Sequence, residues 1–484
     1  MAIPRKTLTK NDLATYLVDT FFKDWTDEKH LTGLELEVIP FKRSPEGLPF
    51  IVPLQAKGRA YTLWQDKDPQ DPWPGLVEFL KQRQGQCDNM RFEPLDPNTP
   101  RFVFDSGAQL TFEPGGQLEY SSVACESIEG VTSSLYSTLH CLESLLAPYD
   151  ISFFYGALNP WFKTEEVGLQ ITKERYLSMN RFFNRISPFG QKMMRLTASF
   201  QVNLDVGNQQ TAQKRWRASN LLSPVFMAMF ANSPFHEGRF SGAKSFRAVI
   251  WSKLDPSRTG FQDGFLTEEY CPCPAQQYMN FALNAYCMLP EALGQHDPMI
   301  TFGDWMEHGF NGEYPELNDW VIHLSTLFPE VRPRGFLEMR YMDTLPKAFY
   351  SVPGTILRRF LYSETLLDRI IESMEPHRVH LRELLDEAAY RGLESQVLRN
   401  LAQNFFEELL RLSPDGDENL MEIAEIFYRN YTHRGINPAD EMLARFGDQC
   451  PSFDDLQQLA AQRLDLVHTP LNRMLAAQDK LPTP

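Results

Sequence analysis

"LTGLELEVIP", residues 31–40, sets two glutamates two apart in an otherwise apolar run. Leu34, Leu36 and Val38 alternate with Gly33, Glu35 and Glu37. That two-residue period belongs to a strand with one oily face and one acidic face. On a solvent-facing edge the glutamates keep a strand soluble and need no further explanation. Inside a cleft, two carboxylates about 7 Å apart by strand rise call for a cation between or beside them. The rest of the chain has to decide.

Four other short runs carry similar polar faces. "QLTFEPGGQLEYSS" (109–122) holds Glu113, a Pro-Gly-Gly turn, then Gln117 and Glu119. Such a turn reverses or kinks the chain and brings Glu113 back towards Glu119. "ASFQVNLDVG" (198–207) alternates Phe200, Val202, Leu204 and Val206 with Gln201, Asn203 and Asp205. "SFRAVIWSKLDPSRTG" (245–260) reads as another strand-like run, with Arg247 and Trp251 on one face before a turn holding Asp255 and Arg258. "GFLEMRYMD" (335–343) puts Glu338 and Arg340 on the same face. Each run alone is ordinary for an antiparallel strand with one wet side. Together they present Glu, Gln, Asn and Arg, which suits a sheet curled around a polar hollow. Acids bind Mg²⁺, and arginines take phosphate or carboxylate bidentately. Those are the residue types of phosphoryl transfer. No GxxxxGK[ST] occurs, so the P-loop solution is excluded.

The 484 residues carry a formal charge of −16, which argues against general nucleic-acid or anionic-membrane binding. No apolar run approaches the ~20 residues that cross a bilayer. "MAIPRKTLTKNDLATYL" lacks the apolar core of a secretory signal, so a cytoplasmic location is expected. Seven scattered cysteines, an odd count without a dense framework, fit a reducing compartment. The pair Cys271 and Cys273 has no common zinc spacing. Residues 8–20 predict a capped amphipathic helix, and 130–149 a longer one ending at Pro148. Loops are expected at "DKDPQDPWPG" (66–75) and "PLDPNTP" (94–100). After residue 355 helix dominates. Leu381, Leu384, Leu385, Ala388, Val397, Leu398 and Leu401 form a stripe expected to pack over a sheet. Trp251 and the pairs Trp305/His308 and Trp320/His323 read as packing residues.

"GLELEV", "FEPGGQLEYSS", "RYLSMNRFF", "SFQVNLD", "MFANSPFHEG", "IWSKLDPSRTG", "LNDWVIHLSTLFPEVRPRGFLEMRYMD" and "GINPADEML" occur in that order. Together they resemble the plant and proteobacterial type of glutamate–cysteine ligase, from about residue 8 to about 460. The resemblance implies an α+β fold, an antiparallel funnel-like sheet with helices packed outside, related to glutamine synthetase. It implies one catalytic domain over 1–460, mostly helical from 355, with a C-terminal tail over 461–484. It also implies a reaction: ATP- and Mg²⁺-dependent joining of the γ-carboxylate of glutamate to the amine of cysteine through a γ-glutamyl phosphate, the first step of glutathione-type thiol synthesis.

On that resemblance Glu35, Glu37, Glu113, Glu119 and Glu338 become candidate Mg²⁺ ligands. Arg247 and Arg340 become the catalytic candidates, contacting glutamate or phosphate. Gln117, Gln201, Asn203 and Arg258 become candidate contacts to ligand or to the metal's surroundings. The chain departs from the family in two places. "MMRLTASF" places Arg195 one residue early, so no ligand role passes to Arg195. "LNPWFKTEEVGLQITKERY" (158–176) is only loosely similar, which leaves another amine acceptor open. A non-catalytic relative is the remaining alternative, against which the presence of all these acids counts. The expected partners are small molecules (glutamate, cysteine or another amine, ATP), with neither nucleic acid nor membrane, in a monomer or homodimer.

Overall fold

The alternation in residues 31–40 is realised as strand β1, Thr32–Arg43, in a computed structural model. It describes residues 8–23, 29–44, 47–67, 73–261, 263–267, 273–288, 299–412 and 416–478. Leu34, Leu36 and Val38 are buried on one face, while Glu35 and Glu37 remain partly exposed on the other. Nine more strands complete one antiparallel sheet. They are β2 (Pro49–Ile51), β3 (Arg91–Phe92), β4 (Phe102–Val103), β5 (Gln109–Phe112), β6 (Leu118–Ser121), β7 (Ile151–Phe154), β8 (Ser199–Asp205), β9 (Val331–Pro333) and β10 (Phe336–Asp343). The order is β9-β10-β8-β1-β6-β5-β4-β3. The N-terminal half of β1 lies between β6 and β8, and its C-terminal half between β2 and β7. Register aligns the polar faces: Glu37 faces Glu119, Glu35 faces Gln201, and Glu338 faces Asn203. One irregularity matters for the site. Between Met339 and Met342 the pairing with β8 slips, so Arg340 sits on a bulge.

Helices cover the other face. α1 (Lys10–Thr20) opens on a capping box between Thr9 and Asp12, as its sequence predicts. α2 (Ile128–Leu146) buries Val131, Leu135, Leu139, Leu142 and Leu146 and lies against β1 and β7. α3 (Glu174–Ile186), α4 (Phe189–Leu196), α5 (Gln209–Met229) and α6 (Phe246–Ser252) follow. α5 packs on β10.

The structure corrects several expectations. The run after Ser245 is a helix, α6, because the Ser245 hydroxyl caps Ala248 N–H; a four-residue step still puts Arg247 and Trp251 on one face. Arg195 ends helix α4 rather than standing on a strand, and binds Thr164 O (3.1 Å) and Asn180 Oδ1 (2.8 Å). The apolar stripe from 381 breaks near Gly392 (φ 56°) into α7 (Leu381–Arg391) and α8 (Gln396–Leu412). Both pack on helix α5, one layer away from the sheet, and Val397 falls on the solvent side. The stretch from 461, set apart above as a tail, belongs to helix α9 (Phe453–Gln478) and buries Val467, Leu471 and Met474. Cys87 and Cys141 form a disulfide, against the expectation of reduced cysteines. Cys271 and residues 68–72 lie outside the described residues. Trp305, Trp320 and His323 are buried, in keeping with packing.

Candidate active site

The polar face of the sheet meets α3, α4 and α6 around a cavity of about 290 Å³. One wall is acidic. Glu35 and Glu37 come from β1, and Glu113 and Glu119 from the β5–β6 hairpin. The hairpin closes as its sequence predicts: Glu113 N–H donates to Gln117 O (2.9 Å), and the Glu113 and Glu119 carboxyls share a hydrogen bond. Neighbours on β8 hold the acids in place. Ser199 donates its N–H and its hydroxyl to Glu37, each at 2.9 Å, and Asn203 Nδ2 donates to Glu35 at 3.0 Å. Thr111 Oγ1 donates to Glu119 at 3.0 Å. Burial, then repulsion from Glu338 and Glu119, lifts Glu35 to about 7. Glu113 is pushed well up by burial, Glu119 and Glu37; burial also raises Glu37 and Glu119. Burial and the crowding of four carboxyls on one wall thus favour their neutral forms, and a nearby cation would favour the charged ones.

The opposite wall is basic. Lys173 and Arg175 stand at the start of α3, Arg332 and Arg334 at the β9–β10 turn, and Arg340 on the bulge. Arg175 is held by Ser325, through Nη1 to the hydroxyl (2.8 Å) and Nη2 to the carbonyl (2.7 Å). Arg340 Nη1 donates to Gln201 Oε1 (2.6 Å) and Glu338 Oε2 (3.0 Å). Tyr176, Met179, Met193, Met194, Trp251 and Phe328 close the cavity with apolar surface.

The eleven candidates therefore separate. Glu35, Glu37, Glu113, Glu119, Gln117, Gln201 and Arg340 line the cavity. Glu338 does not: it is 0 % exposed, and its carboxylate is taken by Arg332 (2.5 and 3.0 Å) and Arg340. Against the upward push of burial these guanidiniums pull it down to about 2. Glu338 is the counter-ion of the basic wall rather than an open metal ligand. Gln117 has both ends of its amide engaged by backbone, Gly115 N–H (3.0 Å) and Thr197 O (2.7 Å), so it braces the turn. Asn203 stands behind Glu35. Arg247 lies beneath Arg340, donating Nη2 to Arg340 O (2.9 Å) beside Asp343. Arg258 is removed from the site. It is fully buried and bound to Asp255 (2.6 Å), Thr326 O (3.0 Å) and Tyr286 O (2.8 Å).

Residues 82–464 match the family described as glutamate-cysteine ligase family 2. This chain belongs to that family. Among its relatives, the chloroplastic glutamate–cysteine ligase of Medicago truncatula is 30% identical over 353 residues, 69% of this chain and 67% of that one. The chloroplastic enzyme of Arabidopsis thaliana is 29% identical over 371 residues, 72% of this chain and 68% of that one. A solved glutamate–cysteine ligase from Francisella tularensis, in complex with AMP, superposes with a TM-score of 0.45 at 10% identity, covering 95% of each chain. The family match begins after β1, so the geometry is what joins Glu35 and Glu37 to the family's own region. The sequence reading missed Lys173 and Arg175, which open α3 inside the loosely similar stretch 158–176. It also missed Arg332 and Arg334, whose two-residue step with Glu330 and Phe328 was visible in "FPEVRPR".

Proposed function

We propose that this cavity joins the γ-carboxylate of glutamate to the amine of cysteine, with cleavage of ATP to ADP and phosphate. One observation carries the reading: four carboxyls face a row of guanidinium and ammonium groups across a single cavity. A carboxylate is a poor acylating agent. Its oxygen attacks the γ-phosphorus of ATP and ADP leaves; the amine then attacks the acyl carbon and phosphate leaves. Both transfers bring anions together, so alignment and charge neutralisation dominate. Arg340 and Arg332, fixed by Glu338, cover the transferring group from one side. Lys173 and Arg175 extend that cover along the wall.

The acidic wall suits Mg²⁺. Its donors are hard oxygens, buried, and short of positive charge. Among the described residues no three acidic, histidine or cysteine side chains are already grouped to hold a metal. Glu35, Glu37, Glu113 and Glu119 would hold it. When bound, Mg²⁺ neutralises phosphate oxygens and orients them for in-line transfer. A second acceptor stays in view because Lys173, on the basic wall, comes from the stretch before Arg175 that is only loosely similar to the family. The test is ADP release by the purified protein with glutamate, Mg²⁺-ATP and a panel of amines. Release that needs glutamate and is greatest with cysteine supports the reading. Release indifferent to glutamate would remove it, and preference for another amine would change the acceptor.

A further inference from the structure

Arg340 stands where β10 slips out of register with β8, between Met339 and Met342. A bulged residue loses ladder bonds that would aim its side chain, so other contacts must fix it. Two do. Arg340 N–H donates to Glu330 O (3.0 Å), and Arg340 O accepts from Arg247 Nη2 (2.9 Å). The first contact is backbone to backbone. The second depends on where α6 holds Arg247, a buried side chain.

The start of α6 is fastened to one carboxyl. Asp343, also buried, stands where the pairing with β8 has resumed, three residues past Arg340. Its Oδ1 accepts from the Ser245 hydroxyl (2.9 Å). Its Oδ2 accepts from the Ser233 hydroxyl (2.7 Å) and from Asn232 N–H (2.8 Å). Each serine oxygen in turn accepts from the first turn of α6: Ser233 from Arg247 N–H (3.2 Å), and Ser245 from Ala248 N–H (3.1 Å). The Arg247 guanidinium lies 3.8 Å from Asp343 Oδ1. Burial pushes the Asp343 carboxyl up, while Arg247 and the three donors pull it back towards the charged form. The contacts close a ring. It runs from Asp343 to Ser233, from Ser233 to Arg247 N–H, from Arg247 Nη2 to Arg340 O, and back along β10 to Asp343. The bulge lies inside that ring. We infer that Asp343 is a positioning residue: from outside the lining of the cavity it sets the Arg340 carbonyl, and so the aim of the Arg340 guanidinium, through Ser233 and Arg247. The inference rests on the proposed ligation for the step that Arg340 serves.

Two variants cut the ring. Asp343→Asn keeps the shape but replaces one acceptor oxygen by a donor, where three donors converge. Ser233→Ala removes one link and leaves both Asp343 and the Ser245 cap in place. ADP release with glutamate, Mg²⁺-ATP and cysteine is measured for each, in the parent and in an Arg340→Lys background. In the parent, Asp343→Asn is expected to lower kcat about tenfold with KM for glutamate little changed, and Ser233→Ala to lower it less. In the Arg340→Lys background neither should cost more than about twofold, because the group they aim is gone. The same fold-loss in both backgrounds, as a general loosening of the protein gives, would overturn the inference; so would near-parental kcat for both variants. Crystal structures give an answer apart from turnover. In Asp343→Asn, or in Ser233→Ala should the first variant fail to fold, the contact from Arg247 Nη2 to Arg340 O is expected to lengthen beyond hydrogen-bond distance. A contact kept as in the parent would overturn the inference. A parent that releases no ADP, while this contact opens in the variant, would count against the ligation alone.

Discussion

Glu338 and Arg340 show how burial changes the meaning of an ion pair. An exposed pair two residues apart on a strand contributes ~0–1 kcal/mol. Here the carboxylate is fully buried among Arg332, Arg334 and Arg340. Removing its charge leaves cations without a counter-ion, so Glu338→Gln should lower stability by about 3–5 kcal/mol, read by urea denaturation. Arg340→Lys keeps the charge and loses the fork that spans Gln201, Glu338 and the cavity. Its kcat at saturating substrates should fall by ~10²-fold with KM for glutamate little changed, and a near-parental kcat would remove Arg340 from phosphoryl transfer. A third expectation concerns pH. The fold raises Glu35 to about 7, so the native state keeps a proton that the unfolded chain gives up near 4.5. That favours the native state below about 4.5 and is lost as pH rises to about 7. Glu35→Gln removes this slope. Relative to the variant, the parent should lose about 2 kcal/mol in metal-free buffer between pH 5 and 8, measured by thermal melts, and Mg²⁺ should recover part of it at pH 8. His236 and His323, held neutral by burial, act in the opposite sense but equally in both proteins. At this scale much was legible. Alternation and turn chemistry put Glu35, Glu37, Glu113, Glu119 and Arg340 on polar faces, where the structure also has them; their candidacy as ligands came from the resemblance. The fate of Glu338 was not legible, because its neutraliser, Arg332, lies on a partner strand whose register no local pattern reveals.

Among the elements, the β5–β6 hairpin is the most exacting. A Cβ on Gly115 would stand 2.2 Å from Arg195 O, and Gly116 takes φ 94° with Gln170 Nε2 at 2.3 Å from its own would-be Cβ. Gln170 in turn donates to Gly115 O (2.8 Å) and accepts from Leu54 N–H (2.7 Å), tying the turn to the loop before α3. Gly116→Ala should therefore cost about 1–3 kcal/mol in denaturation and lower turnover by displacing Glu113 from Glu119. Unchanged stability would mean that the turn relaxes freely. The Pro-Gly-Gly signal made this hairpin readable. The same kind of reading failed for α6, where alternation of large and small residues imitated a strand and a single capping serine decided for helix. It failed again for the stripe from 381, where periodicity identifies an apolar face but not which layer receives it. Helix α5 stands between that stripe and the sheet, a fact that belongs to topology.

For the molecule as a whole, the last described helix is part of the core. α9 packs on α2 and on the helix Glu418–Asn430, so truncation before Phe453 should yield protein without cooperative unfolding, checked by circular dichroism and a thermal melt. The Cys87–Cys141 bond closes 54 residues of sequence and lies away from the lining of the cavity. Reductant should lower the melting temperature, with up to about 4 kcal/mol of stability lost, and leave kcat intact at temperatures where the protein stays folded. The position of β1 has a consequence for biosynthesis. Its acidic half is made early, but one neighbour, β8, ends 162 residues after β1 does, between Arg43 and Asp205. Throughout that interval on the ribosome the edge that β8 will cover is an unpaired, half-apolar template for other nascent chains. In the solvated, unfolded chain Glu35 and Glu37 are ionised, and their repulsion guards that edge. The two charges that the folded cavity must neutralise are thus gatekeepers for the growing polypeptide, and a variant that replaces both trades catalysis for a greater tendency to aggregate before folding is complete.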